Sequence, residues 1–253
     1  MKSQNKTAQN GYVLLIVLAV IAAIGTIISP NLEQDLSYHL FSDQVHCCTI
    51  PNFWNVVSNL PFLVVGLLGL KNTRSDSASK LHKQVFFIGI SLVAFGSGYY
   101  HWNPNNNTLI WDRLPMTIAF MALFSLIIGK FVSKKAGNKS LIPLLVVGAC
   151  SVLYWASFDD LKFYALVQFY PLLAIPIILF CFNSKKQSTW GYWALLLAYI
   201  AAKLFEHYDH EVHQAISFIS GHSIKHIVAA MGVYCLLYYF KNQQENTNKQ
   251  PYS

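Results

Sequence analysis

Charge is what this chain has least of. Only 11% of its 253 residues are Asp, Glu, Lys or Arg, where soluble domains carry about 25%. With 54% hydrophobic residues, that deficit excludes an ordinary soluble domain and a disordered chain. Acidic residues are scarcest, 11 against 18 basic ones. The basic residues are dispersed between apolar runs and form no patch, so no nucleic-acid partner is expected. The five cysteines lack any metal or redox spacing, which removes thiolate zinc sites and dithiol redox centres. Cys150, Cys181 and Cys235 lie in apolar runs and read as small core residues. Cys47 and Cys48 are adjacent, and adjacent cysteines seldom bond each other without strain, so no structural disulfide is expected. Repeats, low-complexity segments, lipidation motifs and signs of an obligate protein partner are all missing.

Long apolar runs are what the chain does have. Eight approach or reach the roughly 17–25 residues of a membrane span: Gly11–Ser29, Asn52–Leu70, Val85–Trp102, Asp112–Val132, Leu141–Ser157, Phe163–Phe182, Trp190–His207 and His222–Phe240. The first exceeds a signal-peptide core and has no clear cleavage site after it, so a retained helix is expected. Of the 18 Lys and Arg, 14 fall on alternate loops or at the ends, leaving Arg113, Lys162, Lys203 and Lys225 elsewhere. This positive-inside alternation predicts an all-α integral membrane protein of eight spans with both termini cytoplasmic. It divides into an N-terminal helix over 1–30, a helical membrane domain over 43–240 and a polar disordered tail over 241–253.

Polar side chains at membrane depth are costly and are functional candidates by default. Under the predicted topology His101 ends the third span, Asp112 begins the fourth, and His222 and His226 occupy the first turns of the eighth. All four then share one depth on the non-cytoplasmic side, with Asp43 nearby. Residues four apart share a helix face. His222 and His226 can therefore meet one ion, and Ser97 lies on the face of His101. The short, turn-rich connector Asn103-Pro104-Asn105-Asn106-Asn107 makes the third and fourth spans an antiparallel hairpin. Three imidazoles with an open fourth position are a catalytic zinc set. A carboxylate such as Asp112 can move the proton of an attacking water, and a hydroxyl such as Ser97 can support the developing oxyanion. For Ser97, flanked by Gly96 and Gly98, helix packing is the competing reading.

The segment Phe95-Gly96-Ser97-Gly98-Tyr99-Tyr100-His101, the eleven-residue step to Asp112, Leu114-Pro115 after it and the closing His222-x-x-x-His226 resemble the alkaline ceramidase signature. Asn52–Leu60 resembles the start of that family's first core helix. The pattern, from Asp43 to Phe240, also marks a wider superfamily of seven-helix hydrolases that includes adiponectin-type receptors. The resemblance implies a seven-helix core preceded by one extra helix, with Zn2+ on His101, His222 and His226 and a water held by Asp112. It implies hydrolysis of the N-acyl amide of a ceramide-type sphingolipid to a fatty acid and a long-chain base.

The sequence departs from the family in two places. Asn52 stands where a glutamate is usual in an acidic calcium cluster, which weakens the case for Ca2+ at Asp43, Asn52 and Asn55, a possible secondary polar site. His101-Trp102-Asn103-Pro104 differs from the usual continuation. Both suggest a bacterial branch acting in the inner membrane. Alternatives are an acyl-ester hydrolase of glycerolipids with the same site, or a non-enzymatic lipid sensor or structural zinc protein. Elsewhere, Asn55, Ser58 and Asn59 read as interhelical hydrogen-bond partners, and Asp159-Asp160 as a polar outer loop. Glu206–His213, rich in histidine, reads as a solvated interfacial segment with Lys203 and Glu206 paired at i, i+3.

Overall fold

The computed structural model describes residues 2–73, 79–183 and 187–249. Arg74, Lys185 and Lys186, part of the expected charge alternation, lie outside these residues, as do 250–253 of the expected tail. The described chain is helical: α1 (Lys2–Ile28), α2 (Phe53–Val57), α3 (Leu60–Asn72), α4 (Lys80–Trp102), α5 (Asn106–Ile127), α6 (Lys134–Phe158), α7 (Lys162–Cys181), α8 (Trp190–His207), α9 (Asp209–Ile216) and α10 (Gly221–Lys249), with a 3-10 turn at Leu36–His39 and a π-turn at Ile128–Val132. Among the described residues seven helices are long and apolar enough to cross a membrane, α2 and α3 counting as one. The protein is an integral membrane protein. Leu67, Phe95, Ile142, Leu173 and Leu197 are all more than half exposed, as lipid-facing side chains should be and water-facing ones should not.

Local chemistry explains where the helices start and stop. The fourth expected run begins at Asp112, yet α5 starts six residues earlier at Asn106. The Asn105 side chain accepts from the backbone N–H of Asn107 and Thr108 at 2.9 and 3.1 Å, a polar N-cap that hydropathy does not register. The second run is not one straight helix. It breaks between α2 and α3 at Ser58-Asn59, just ahead of Pro61 in the first turn of α3. The seventh expected run, Trp190–His207, is helical as α8 but is not among the seven long apolar helices, since Lys203, Glu206 and His207 crowd its last turns. The helix α10 runs to Lys249, through most of the expected disordered tail, because no proline or glycine interrupts residues 241–249. Cys150, expected in the core, is exposed, since it lies on the outward side of α6.

Two compact units partition the chain, 1–35 with 116–188 and 36–115 with 189–253. In the first, Tyr12 packs edge-on against Phe182 at 4.8 Å between ring centres, joining α1 to α7. Asp160 is no solvated loop residue. It is buried and accepts from the backbone N–H of Lys162 and Leu32 at 3.1 and 3.3 Å, with the Lys162 ammonium at 3.3 Å. Burial works to raise its carboxyl, and these donors outweigh it, holding the group below the usual carboxylate range. In the second unit α10 packs along α8 and α3, and α3 packs along α4. Gly191 admits the Tyr239 ring where α8 meets α10. All the candidate site residues belong to this second unit.

Candidate metal centre and active site

The helical period acts first. His222 and His226 are one turn apart at the start of α10, and His101 ends α4. Ligand atoms of the three rings lie within 4.8 Å of one another. The Nε2 atoms of His101 and His222 are 3.3 Å apart. All three histidines are at most 5% exposed, and the buried Phe41 ring packs on His101 and His222 at 4.7 and 4.5 Å. His226 Nδ1 is hydrogen-bonded to the Ser58 hydroxyl at 2.8 Å, which leaves Nε2 for an ion. His101 Nδ1 is buried without a hydrogen-bond partner among the described residues. Three converging, buried imidazoles, one of them with a buried ring nitrogen that no described residue satisfies, fit a metal ion. They could hold one while leaving a coordination position open.

Asp112 is not in this cluster but is linked to it. Its carboxylate accepts from the buried Ser97 hydroxyl, one turn before His101 on α4. Gly96 permits the approach, since a Cβ there would collide with the Trp111 carbonyl. Gly98 faces open space, so packing requires glycine at only one of the two positions. The chain therefore brings together His101, His222 and His226, and separately pairs Ser97 with Asp112.

The secondary polar residues are engaged by the protein itself. Asp43, fully buried, accepts from the backbone N–H of Val45 and Trp54 at 3.0 and 3.2 Å, one on each carboxylate oxygen. Asn55 Oδ1 accepts from Ser223 at 2.7 Å, tying α2 to α10. Asn52 is left-handed at φ 47°, a conformation asparagine tolerates, and its amide donates to the His101 carbonyl at 2.9 Å. An ionised glutamate could not make that donation.

One residue escaped the sequence reading. Within Glu206–His213, His207 and His210 are exposed as expected, but Asp209 is buried. It accepts from the backbone N–H of His222 at 2.7 Å and of Ser42 at 3.0 Å. The carboxylate thus caps the helix that carries two of the histidines, next to the cap from Ser220 to Ser223 N at 3.2 Å. The only local signal was a carboxylate shortly before a Ser-Gly helix start. Glu206 forms the expected ion pair with Lys203 and a second with Lys225 at 2.6 Å. Tyr38 also donates to Glu206, at 3.2 Å. Burial, and next the Glu206 charge, push the Tyr38 hydroxyl well above its usual range, so it remains a neutral donor.

Among models of protein families, the one described as Ceramidase matches residues 42–253. No curated protein matches the chain.

Proposed function

Because the chain belongs to the ceramidase family, amidases that hydrolyse the N-acyl bond of ceramide, we propose that it is a zinc-dependent intramembrane amidase. It would release a fatty acid and a long-chain base from a ceramide-type lipid. The observation that carries this reading is the buried trio His101, His222 and His226 beside the Ser97–Asp112 pair. His101, His222 and His226 would hold the zinc, which when bound supplies Lewis-acid polarisation of the amide carbonyl and acidifies water. Asp112 takes a proton from the attacking water and returns it to the leaving amine nitrogen. Ser97 holds the Asp112 carboxylate by donating to it, and once Asp112 carries the proton the same hydroxyl is free to donate to the developing oxyanion. Ser58 fixes the ring of His226, Asp209 fixes the first turn of α10, and Phe41 keeps bulk water from His101 and His222. Asp43, Asn52 and Asn55 hold the segment before α2 against α4 and α10.

The topology follows from the charge alternation in the sequence. In this proposal α8 is an eighth span, both termini are cytoplasmic, and the site opens at the non-cytoplasmic end of the bundle. Substrate enters from the bilayer. The departures at Asn52 and after His101 favour a bacterial branch and an inner-membrane location.

The test is purified protein in detergent, assayed for fatty acid and long-chain base, with metal content measured on wild type and His226→Ala. About one zinc per chain and release from ceramide, both lost in the variant, is the expected result. Full activity with unchanged zinc in His226→Ala refutes the assignment. Release of a lysolipid from a glycerolipid, with ceramide untouched, would move the activity to ester hydrolysis.

A further inference from the structure

The segment that lies against the histidines has two sides. From residue 36 to 42 it reads Leu-Ser-Tyr-His-Leu-Phe-Ser, with no Asp, Glu, Lys or Arg. Its inward side chains are tethered to the helices. Tyr38 donates to Glu206 of α8. His39 is hydrogen-bonded to the Tyr100 hydroxyl of α4 at 2.8 Å and to the Asn106 side chain of α5 at 2.9 Å. Phe41 packs on His101 and His222. Ser42 completes the strap, its N–H donating to Asp209 and its hydroxyl 2.8 Å from His213 Nδ1, both on α9. On the outward side, Leu36 and Leu40 are each 68% exposed.

Those partners fix the level of the strap. Tyr100 and Asn106 lie at the end of α4 and the start of α5, and Glu206 and Asp209 at the end of α8 and the start of α9. The strap and α9 therefore lie across one end of these helices. Exposed aromatic side chains mark the same end: Tyr99 and Trp102 of α4, Trp111 of α5 and Tyr208 after α8 are each about half exposed. Trp and Tyr at span ends form the belt that sits at the membrane–water interface. One exposed leucine needs no explanation. Two on the outer side of an uncharged strap, level with the belt, do. Beside the strap, α9 has exposed polar residues His210 and Glu211, while Ile216 at its end and Phe218 beyond it are exposed and apolar. That division suits a segment lying in the plane of the interface.

We propose that residues 36–42 form an interfacial lip: Leu36 and Leu40 enter the interfacial layer of the bilayer, while the other side of the same strap closes on the metal centre. The partner is the lipid bilayer, because the belt places its surface at this level and the strap offers it no charge. A lipid that reaches the histidines passes this lip, so lipid packed in a bilayer is favoured over dispersed lipid. The consequence for substrate rests on the amidase reading; the placement of the strap does not.

A benzophenone amino acid at position 36 or 40 tests the placement, in protein reconstituted into phosphatidylcholine vesicles. The position of Phe95, exposed on α4, is the lipid-facing control, and that of Glu211 the water-facing one. Lipid photoadducts at 36 and 40 close to the yield at 95, with few at 211, are expected. Adducts to a second copy of the chain in place of lipid, or lipid yields no higher than at 211, overturn the proposal. Activity is compared between long-chain ceramide in vesicles and short-chain ceramide dispersed in detergent. In the double variant Leu36→Ser, Leu40→Ser, kcat/KM on vesicle ceramide should fall by about tenfold, with dispersed ceramide cleaved as by wild type. An equal fall on both substrates, or no fall on vesicles, overturns the lip as a route for lipid while the amidase reading stands. A wild type that cleaves neither substrate refutes the amidase reading, and the adducts at 36 and 40 then decide the lip by themselves.

Discussion

Asp209 offers the sharpest test of how the metal centre is held. Its carboxylate makes two hydrogen bonds to backbone N–H groups, His222 at 2.7 Å and Ser42 at 3.0 Å, in a buried position. In Asp209→Ala the α10 terminus loses a cap, which costs ~0.5–2 kcal/mol. The Ser42 donor loses a charged partner, at about 1.5–3 kcal/mol. Neighbouring effects do not add fully, so an overall loss of about 2–4 kcal/mol is expected. The more specific consequence is on metal affinity, because the freed turn carries His222. Loss of a group that orients a ligand weakens metal binding by about 10–100-fold. Asp209→Asn keeps one acceptor oxygen, and its loss should be smaller in both quantities. The assay is chelator competition on purified protein, paired with thermal unfolding of the metal-free form to separate stability from affinity. Unchanged affinity in Asp209→Ala would refute the reasoning, as would an affinity loss equal to that of a control substitution of matched stability elsewhere on α9.

Three further outcomes are expected. Asp112→Asn should lower kcat by about 10²–10⁴ with metal content retained, whereas Ser97→Ala should fall by a smaller factor; equal zinc-normalised kcat to wild type in Asp112→Asn would exclude a proton-transfer role. Gly96→Ala places a Cβ against the Trp111 carbonyl, so α4 and α5 must part at the Ser97–Asp112 contact; kcat should drop with little change in metal content, and an unaltered kcat would mean that the contact is dispensable. Asp160 has its carboxyl depressed in the folded state, so the stability it contributes is fully present above the usual carboxylate value near 3.9 and is lost as pH falls through the lower folded value. The melting-temperature gap between wild type and Asp160→Asn should therefore be constant near neutral pH and close in strong acid, and a gap that widens on acidification would contradict the sign.

The residues that could be read in advance were those whose relation is local. Ser97 with His101 and His222 with His226 are one helical turn apart, and the period of an α-helix places each pair on one face whatever surrounds it. Polar residues at 55, 58 and 59 in an apolar run likewise announced one inward face. Hydropathy found the spans it measures, and it misjudged those set by something else. The start of α5 is set by Asn105, a side-chain cap, and the break after α2 falls at Ser58-Asn59.

Sequence by itself determined the membrane class, the helical spacing of the four site positions on α4 and α10, and the family pattern they share. Tertiary structure alone decided that Ser58 meets His226 across 168 residues and Asn55 meets Ser223 across the same separation. It likewise decided that the carboxylate capping His222 comes from α9, and that Lys225 shares Glu206 with Lys203. The division has a physical cause. A helix repeats its geometry every turn, so partners within it are fixed by spacing, while partners on different helices depend on how close two backbones can come. That distance is set by small residues such as Gly96 and Gly191 and by the packing around them.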